Sequence, residues 1–278
     1  MERPTDLLLN DGNTIPQFGL GMWQVPDDQA QRVALEALEI GYRHIDTAQV
    51  YDNEAGVGRA LRTTSVPREE LFVTSKCRNK LQGYDSTIAG FEESMEKLGL
   101  DTLDLFLIHW PFPEADRYVD TWRALIDLKE RGRVKSIGVS NFKSEHLQRL
   151  IDETGVTPAI NQVELHPRFQ QVELRQEHAR LGIITQAWSP LGRAQTFDEP
   201  VLQAIAKNHG KSPAQVILRW HLDCGLVTFP KSVHRERLVE NFDLFDFQLS
   251  PEEMEQIATL DRADGRIGPD PAVMNVAF

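Results

Sequence analysis

The run Leu103-Asp104-Leu105-Phe106-Leu107-Ile108 is almost continuously apolar, and His109 follows it at once. A strand with one face in water alternates apolar and polar residues, whereas a continuous apolar run is typical of a strand buried on both faces. Strands of that kind occur in parallel sheets that are covered by helices. The run therefore favours an α/β protein, with His109 at the carboxyl end of one of its strands.

Similar short strands alternate with amphipathic helices along the chain. Strands are predicted at 19–23, 42–46, 71–76, 102–109, 134–139, 159–163, 183–187 and 226–230, and helices at 28–40, 54–61, 86–98, 118–131, 144–153 and 172–181. Two further helices, 199–209 and 213–224, precede the eighth strand, and another begins after Ser250. This order predicts an α/β (β/α)8 TIM barrel with two extra helices. An open doubly wound sheet is the alternative fold.

An N-terminal β-hairpin is predicted where Asp11-Gly12 separates two short apolar runs. No linker divides the chain, so residues 1–278 are expected to form a single domain. The 278 residues are 41% hydrophobic, which is enough to bury one sizeable core.

Composition also excludes several classes of partner. The formal net charge of −12 repels phosphate backbones, so no nucleic-acid partner is expected. The start, Met1 to Asp6, is polar, and no apolar run is long enough to cross a bilayer. We therefore expect a cytoplasmic protein without a membrane partner. Cys77 and Cys224 lie far apart and lack metal-ligand spacing, so no metal site is predicted.

Polar residues close the predicted strands, at the end of the barrel where barrel enzymes carry their chemistry. Taken singly, each has an ordinary explanation: an aspartate caps a loop, a lysine faces solvent, a histidine packs in the core. Their collection on one rim is what indicates a functional site. The residues are Asp46 with Tyr51, Lys76, His109, Ser140-Asn141, Asn161-Gln162, Trp188-Ser189 and Lys231-Ser232.

Four of these residues make chemical sense together for carbonyl reduction. Hydride delivery to a carbonyl carbon leaves negative charge on oxygen, which must gain a proton. Tyr51 could donate it, and a nearby Lys76 ammonium would lower the pKa of the phenol. Asp46 could hold Lys76, and His109 could hydrogen-bond the substrate oxygen.

Five segments resemble those of the aldo-keto reductases, and the similarity runs from the hairpin to about Asn241. They are Gly41-Tyr42-Arg43-His44-Ile45-Asp46-Thr47-Ala48, Tyr51-Asp52-Asn53-Glu54, Ile108-His109-Trp110-Pro111, Ile137-Gly138-Val139-Ser140-Asn141-Phe142 and Asn161-Gln162-Val163-Glu164-Leu165-His166-Pro167. Within the family, the chain is most similar to bacterial 2,5-diketo-D-gluconate reductases.

The resemblance implies that Tyr51 is the general acid, Lys76 and Asp46 its supporting pair, and His109 the carbonyl-orienting group. It implies a monomer, and a structural role for His166. Cofactor contacts are implied for Ser140, Asn141 and Gln162 at the carboxamide, Trp188 at the nicotinamide ring, Ser189 and Leu191 at the pyrophosphate, and Glu240 and Asn241 at the adenine.

The cofactor is expected to be NADPH, with NADH as a weaker alternative. No Gly-x-Gly-x-x-Gly follows a strand, so a Rossmann site is not supported. The segment Lys231-Ser232-Val233-His234-Arg235-Glu236-Arg237-Leu238-Val239-Glu240-Asn241 instead offers cations, a hydroxyl and loop N–H groups after the eighth strand. These groups suit the 2′-phosphate of NADPH. The same segment also reads as a solvated basic turn before a helix. The similar diketogluconate reductases carry Arg where this chain has His234.

The substrate is expected to be a small aldehyde, dicarbonyl or keto-sugar. Met22, Trp23, Val50 and Trp110 are predicted to line an apolar pocket with Met274 and Asn275 from the tail, although the same bulk could be rim packing. Arg78 or Arg193 could attract an acidic substrate, and Cys77-Arg78 stands where relatives often have Leu-Trp.

Two other functions stay open. A barrel lyase would use Lys76 to form a Schiff base. A non-catalytic redox-sensor subunit would bind NADPH without turnover.

Overall fold

The computed structural model describes residues 5–278, and most of the polar start discussed above lies outside them. Its main sheet contains eight parallel strands in the order β10-β9-β8-β7-β6-β5-β4-β3. The sheet strands are β3 Leu20–Gly21, β4 His44–Asp46, β5 Phe72–Cys77, β6 Leu103–Ile108, β7 Val134–Ser140, β8 Ile160–Glu164, β9 Ile184–Trp188 and β10 Val227–Thr228. The predicted strands are all present, several of them shorter than expected.

Backbone hydrogen bonds join the two ends of this sheet and close it into a barrel. Gly19 N donates to Thr228 O at 2.9 Å, and Gly21 N donates to Pro230 O at 3.3 Å. A Cβ on Gly21 would lie 2.7 Å from Phe229 O, and one on Gly19 would lie 2.8 Å from His44 O. The Gly19-x-Gly21 pattern therefore serves close strand approach at the seam. The fold is a (β/α)8 barrel.

Ten α-helices occur within residues 5–278, and the sequence predicts nine of them, all except the one at 235–242. They are α1 Asp27–Ile40, α2 Glu54–Thr63, α3 Tyr84–Leu98, α4 Tyr118–Glu130, α5 Ser144–Thr154, α6 Val172–Leu181, α7 Pro200–His209, α8 Pro213–Asp223, α9 Arg235–Phe242 and α10 Pro251–Ala258. Helix α9 corrects the interpretation of its residues as a phosphate-binding loop and agrees with the alternative, a basic turn that enters a helix. Ser212 and Ser250 cap α8 and α10 through capping boxes.

The hairpin forms from β1 Asp6–Leu8 and β2 Thr14–Pro16, with Leu7 opposite Ile15. Ile15 is fully buried in a cluster with barrel residues such as Phe72 and Leu105. The hairpin therefore covers the end of the barrel at which the strands begin, and leaves the opposite rim for the polar residues.

The larger apolar core lies between the barrel and its helices, and it includes Met22 and Cys77. Met22 is fully buried there, which removes it from the predicted substrate pocket. Cys77 and Cys224 are both free thiols. No helix within the described range is both long and apolar enough to cross a membrane.

Candidate active site

The four residues predicted to carry the chemistry meet at the carboxyl ends of β4, β5 and β6. Asp46 is the last residue of β4, Lys76 the penultimate residue of β5, and His109 directly follows β6. Tyr51 ends a 3-10 turn, Gln49–Tyr51, that follows β4. Because neighbouring parallel strands end at one edge of the sheet, these side chains converge on one cleft.

Lys76 is fully buried and organises this cluster. Its Nζ donates to Asp46 Oδ1 at 2.5 Å, to Thr47 O at 2.9 Å and to the Tyr51 hydroxyl at 3.3 Å. Asp46 Oδ2 accepts from Gln162 Nε2 at 2.8 Å. Each ammonium hydrogen therefore has an acceptor, and both carboxylate oxygens are occupied, as a buried ion pair requires.

The pKa of Tyr51 departs from the sequence prediction that Lys76 lowers it. Burial, reinforced by the Asp46 carboxylate, raises the pKa of Tyr51 well above its ordinary value of 10.0. Burial also lowers the pKa of Lys76, and the charge of Asp46 opposes that shift. The paired Lys76 and Asp46 present a dipole rather than a free ammonium, so little positive field is left to stabilise a phenolate. The phenol is therefore protonated at neutral pH.

His109 is neutral in this cluster. Burial, with Lys76 and Arg78 nearby, lowers the pKa of His109 well below 6.5. Its ring centroid lies 5.7 Å from that of Tyr51, and its buried Nδ1 has no hydrogen-bond partner within the described chain. A neutral imidazole carries one N–H, which can be offered to a carbonyl oxygen.

The rest of the cleft mouth is aromatic. The Trp23 ring, half exposed, stacks edge-on with Tyr51 at 5.0 Å, and the Phe278 ring lies 5.8 Å from His109. Trp110 is buried, and its carbonyl accepts from Gln82 Nε2. The tail is tied to the barrel beside β5, where Asn79 Nδ2 donates to Val276 O.

The residues predicted to contact a nicotinamide form a second cluster on β7, β8 and β9. Asn141 Nδ2 donates to His109 O and to Ser140 Oγ, both at 3.0 Å, while its Oδ1 accepts from Trp188 Nε1 at 2.8 Å. Gln162 connects this cluster to Asp46. The two predicted groups of residues are thus joined by direct hydrogen bonds.

The segment after β9 has an unusual backbone. Ser189, Arg193 and Ala194 all adopt positive φ angles, of 49°, 52° and 63°. Non-glycine residues in this region are uncommon and mark sharp local turns. Leu191 is half-buried beside them, so the predicted pyrophosphate residues lie on a tightly folded surface loop.

The predicted phosphate-binding residues gather at the start of α9. Ser232 Oγ accepts from His234 N at 3.1 Å, and Arg32 donates to Val233 O. Arg235 pairs with Glu39 at 3.0 Å. Lys231 and Arg237, by contrast, are exposed and have no side-chain partner among residues 5–278.

The two residues predicted at the adenine are placed differently. Glu240 accepts from Ser212 Oγ at 2.6 Å on the surface, whereas Asn241 is buried.

Glu164 is a site residue that the sequence interpretation did not single out. Its carboxylate accepts from Ile267 N at 2.5 Å, Gly268 N at 2.8 Å and His166 Nε2 at 3.1 Å. It thereby fastens the C-terminal tail beside Trp188. Its place at the end of β8 is the same signal that identified Asp46 and Lys76.

Comparisons with known proteins agree over nearly the whole chain. The model of the Aldo/keto reductase family matches residues 16–262. An aldo-keto reductase of Mycolicibacterium smegmatis is 53% identical over 269 residues, covering 97% of this chain and 98% of the relative. Methylglyoxal reductase DkgA of Salmonella typhimurium is 52% identical over 273 residues, covering 98% of each. A crystal structure of a Gox0644 mutant in complex with NADPH has a TM-score of 0.95 and 49% identity, covering 98% and 99%.

Proposed function

This chain belongs to the aldo/keto reductase family, and from that premise we propose that it reduces aldehydes, ketones, dicarbonyls or keto-sugars to alcohols with NADPH, using Tyr51 as the general acid. The enzyme class follows from the family. The role of each residue is argued below from the geometry of the cleft.

The observation that carries the proposal is the hydrogen-bonded series Tyr51–Lys76–Asp46. The Tyr51 hydroxyl lies 3.3 Å from Lys76 Nζ, which is held in place by Asp46. Lys76 donates to the hydroxyl oxygen, so the phenolic hydrogen is free to point into the cleft. An alkoxide is more basic than a phenolate, so Tyr51 can protonate the nascent alcohol despite its raised pKa. His109 offers an N–H to the same oxygen and orients the carbonyl.

NADPH supplies the hydride when bound, and the chain offers a set of groups that fits it. Lys231, four residues before α9, and Arg237, in its first turn, are cations without side-chain partners among residues 5–278, and the N–H groups at the start of the helix also favour a phosphate. Asn141 fixes the Trp188 indole through its Nε1, and we assign the ring the role of stacking on the nicotinamide. Ser140, Gln162, Ser189, Leu191, Ser232, Val233, Glu240 and Asn241 complete the proposed contacts.

The proposed substrate pocket is formed by Trp23, Trp110 and His109 at the cleft mouth. Aromatic walls around one hydrogen-bond donor suit a small carbonyl compound. Because several relatives are named methylglyoxal reductase, methylglyoxal is the first substrate to test. We also propose that residues 1–278 act as one domain, as a monomer in the cytoplasm.

The lyase alternative is disfavoured by the burial of Lys76. Schiff-base formation needs an amine that a substrate carbon can reach, and Nζ is fully buried and donates to three acceptors. The sensor alternative predicts NADPH binding without turnover, so a turnover assay decides it.

The test is NADPH oxidation with methylglyoxal and a wider carbonyl panel, comparing the wild type with Tyr51→Phe. The variant keeps the ring but loses the proton donor, so kcat is expected to fall by about 10² to 10⁴ while the Kd for NADPH stays unchanged. An undiminished kcat would refute the assigned acid. NADPH binding without turnover of any carbonyl by the wild type would favour the sensor.

A further inference from the structure

Arg78 directly follows β5, the strand that holds Lys76, and lies two residues nearer the barrel rim. Its backbone is still extended, with φ −71° and ψ 152°, so the alternation of side chains along β5 continues and residues 76 and 78 project to one side. The register pairs Cys77 with Ile108, which brings Arg78 beside His109. Arg78 therefore stands at the cleft, although the proposed chemistry gives it no role.

The guanidinium of Arg78 contacts the residues on both sides of Tyr51. Its Nη2 donates to Gln49 O at 2.9 Å and to Asp52 Oδ1 at 3.1 Å. Gln49 begins the 3-10 turn that Tyr51 ends, and Asp52 follows with a left-handed φ of 53°. One nitrogen thus bridges the beginning and the end of the turn that carries the phenol.

Gln49 is itself fixed on the far side of the turn. Its Nε2 donates to Gly90 O at 2.7 Å and to Ser94 Oγ at 3.0 Å, both on α3. Its Oε1 accepts from the backbone N of Arg78 at 2.9 Å. The turn is therefore attached to α3 and β5 through one buried side chain, and Arg78 supplies the link that also reaches Asp52.

The two acceptors of Arg78 Nη2 differ in strength. The Asp52 side chain is 78% exposed, and an ion pair to such a group contributes little. The Arg78 side chain is only 17% exposed, and its bond to Gln49 O is charge-assisted and largely shielded from water. Most of the restraint is therefore expected to come from the carbonyl of Gln49.

We propose that Arg78 is a positioning residue, which holds the Gln49–Tyr51 turn so that the Tyr51 hydroxyl faces the substrate oxygen. The acid is then controlled at two points: Lys76 on β5 contacts the hydroxyl, and Arg78, directly after β5, holds the backbone that carries it. This proposal rests on the proposed role of Tyr51 as general acid.

The test compares Arg78→Met and Arg78→Lys with Arg59→Met as the matched control. Arg59 Nη2 donates to the carbonyl and the carboxylate of Asp27, which is the same kind of contact outside the cleft. In Arg78→Met, kcat for methylglyoxal is expected to fall about 10- to 100-fold, with the Kd for NADPH unchanged. The solvent deuterium isotope effect on kcat is expected to rise, because proton transfer from a misplaced phenol becomes slower. Arg78→Lys keeps a cation near Gln49 O and should recover part of the loss, while Arg59→Met keeps the wild-type kcat.

Two results would overturn the positioning role. One is a wild-type kcat and isotope effect in Arg78→Met. The other is a rise in KM confined to substrates with a carboxylate, which would make Arg78 a substrate-binding group instead. Tyr51→Phe, measured in parallel, separates the acid role of Tyr51 from the positioning role of Arg78. If Tyr51→Phe retains activity, the acid role fails. If Tyr51→Phe is inactive and Arg78→Met has the wild-type kcat, only the positioning role fails.

Discussion

The indole Nε1 of Trp188, at the end of β9, donates to the side-chain oxygen of Asn141 at 2.8 Å, so the residue that directly follows β7, two strands away in the sheet, sets the orientation of the ring. The opposite edge of the indole lies against Gly268 of the tail, where a Cβ would be 2.5 Å from Cη2. Glu164 holds Gly268 in that position through its backbone N–H. The proposed nicotinamide platform is thus fixed at both ends.

Gly268→Ala is expected to displace the indole and to weaken NADPH binding by on the order of tenfold, since an added methyl must move either Trp188 or the tail. A fluorescence titration measures the Kd. Trp188→Phe provides the control, because the smaller ring removes the contact with Cη2 and leaves only the approach of the methyl to Glu164 Oε2, at 2.9 Å. Adding Gly268→Ala to Trp188→Phe should therefore change the Kd less than Gly268→Ala does in the wild type. If Gly268→Ala weakens NADPH binding equally in the wild type and in Trp188→Phe, the contact between residues 268 and 188 has no effect on the cofactor.

Lys76→Met is expected to lower the free energy of unfolding by about 3–5 kcal/mol, because it leaves the Asp46 carboxylate buried without its cation. The double variant Lys76→Met/Asp46→Leu removes both charges and should be more stable than the single variant. Urea denaturation of Lys76→Met, Asp46→Leu and the double variant measures the three losses of stability. The 2.5 Å separation indicates that the two residues are coupled. If the double variant loses as much stability as the two single variants together, this coupling is absent.

Arg237→Ala is expected to raise the Kd for NADPH about 10- to 100-fold, since a hydrogen bond to a charged group contributes about 1.5–3 kcal/mol. The Kd for NADH should hardly change, because NADH lacks the 2′-phosphate. Arg235→Ala is the matched control on the same helix, since Arg235 pairs with Glu39. The preference for NADPH needs a direct test, because His234 stands where the similar diketogluconate reductases have Arg. Comparable kcat/KM values with NADH and NADPH in the wild type would contradict this preference.

Buried histidines are expected to make the protein less stable as the pH falls from about 6.5 towards 4. Burial lowers the pKa of His44 to about 3 and that of His178 to about 4, from 6.5. In this window the unfolded chain binds more protons than the folded one, so the free energy of unfolding falls by up to about 1.4 kcal/mol per pH unit for each histidine. Chemical denaturation across this range measures the slope, and His178→Gln should reduce it. An unchanged slope in that variant would contradict the assignment.

The strands and most helices follow from local patterns, because a run such as Leu103–Ile108 is apolar whatever surrounds it. Helix α9 was missed for the converse reason. Its sequence is strongly polar, and its buried residues Leu238, Asn241 and Phe242 show their inward face only once α1 and α8 lie beside them. The cations of this segment were recognised, but the helix that presents them entered only through the alternative interpretation, a basic turn before a helix.

Sequence alone determined the barrel, the rim residues and the resemblance to a reductase family, since these depend on the order and types of residues along the chain. Only the tertiary structure decided the electrostatics of Tyr51 and the contacts of Arg78. A pKa depends on burial and on every charge within a few ångströms, and the pairing of Lys76 with Asp46 cancels the field that Lys76 alone would exert. Likewise, Arg78 reaches Gln49 and Asp52 only because β5 lies beside the turn that follows β4.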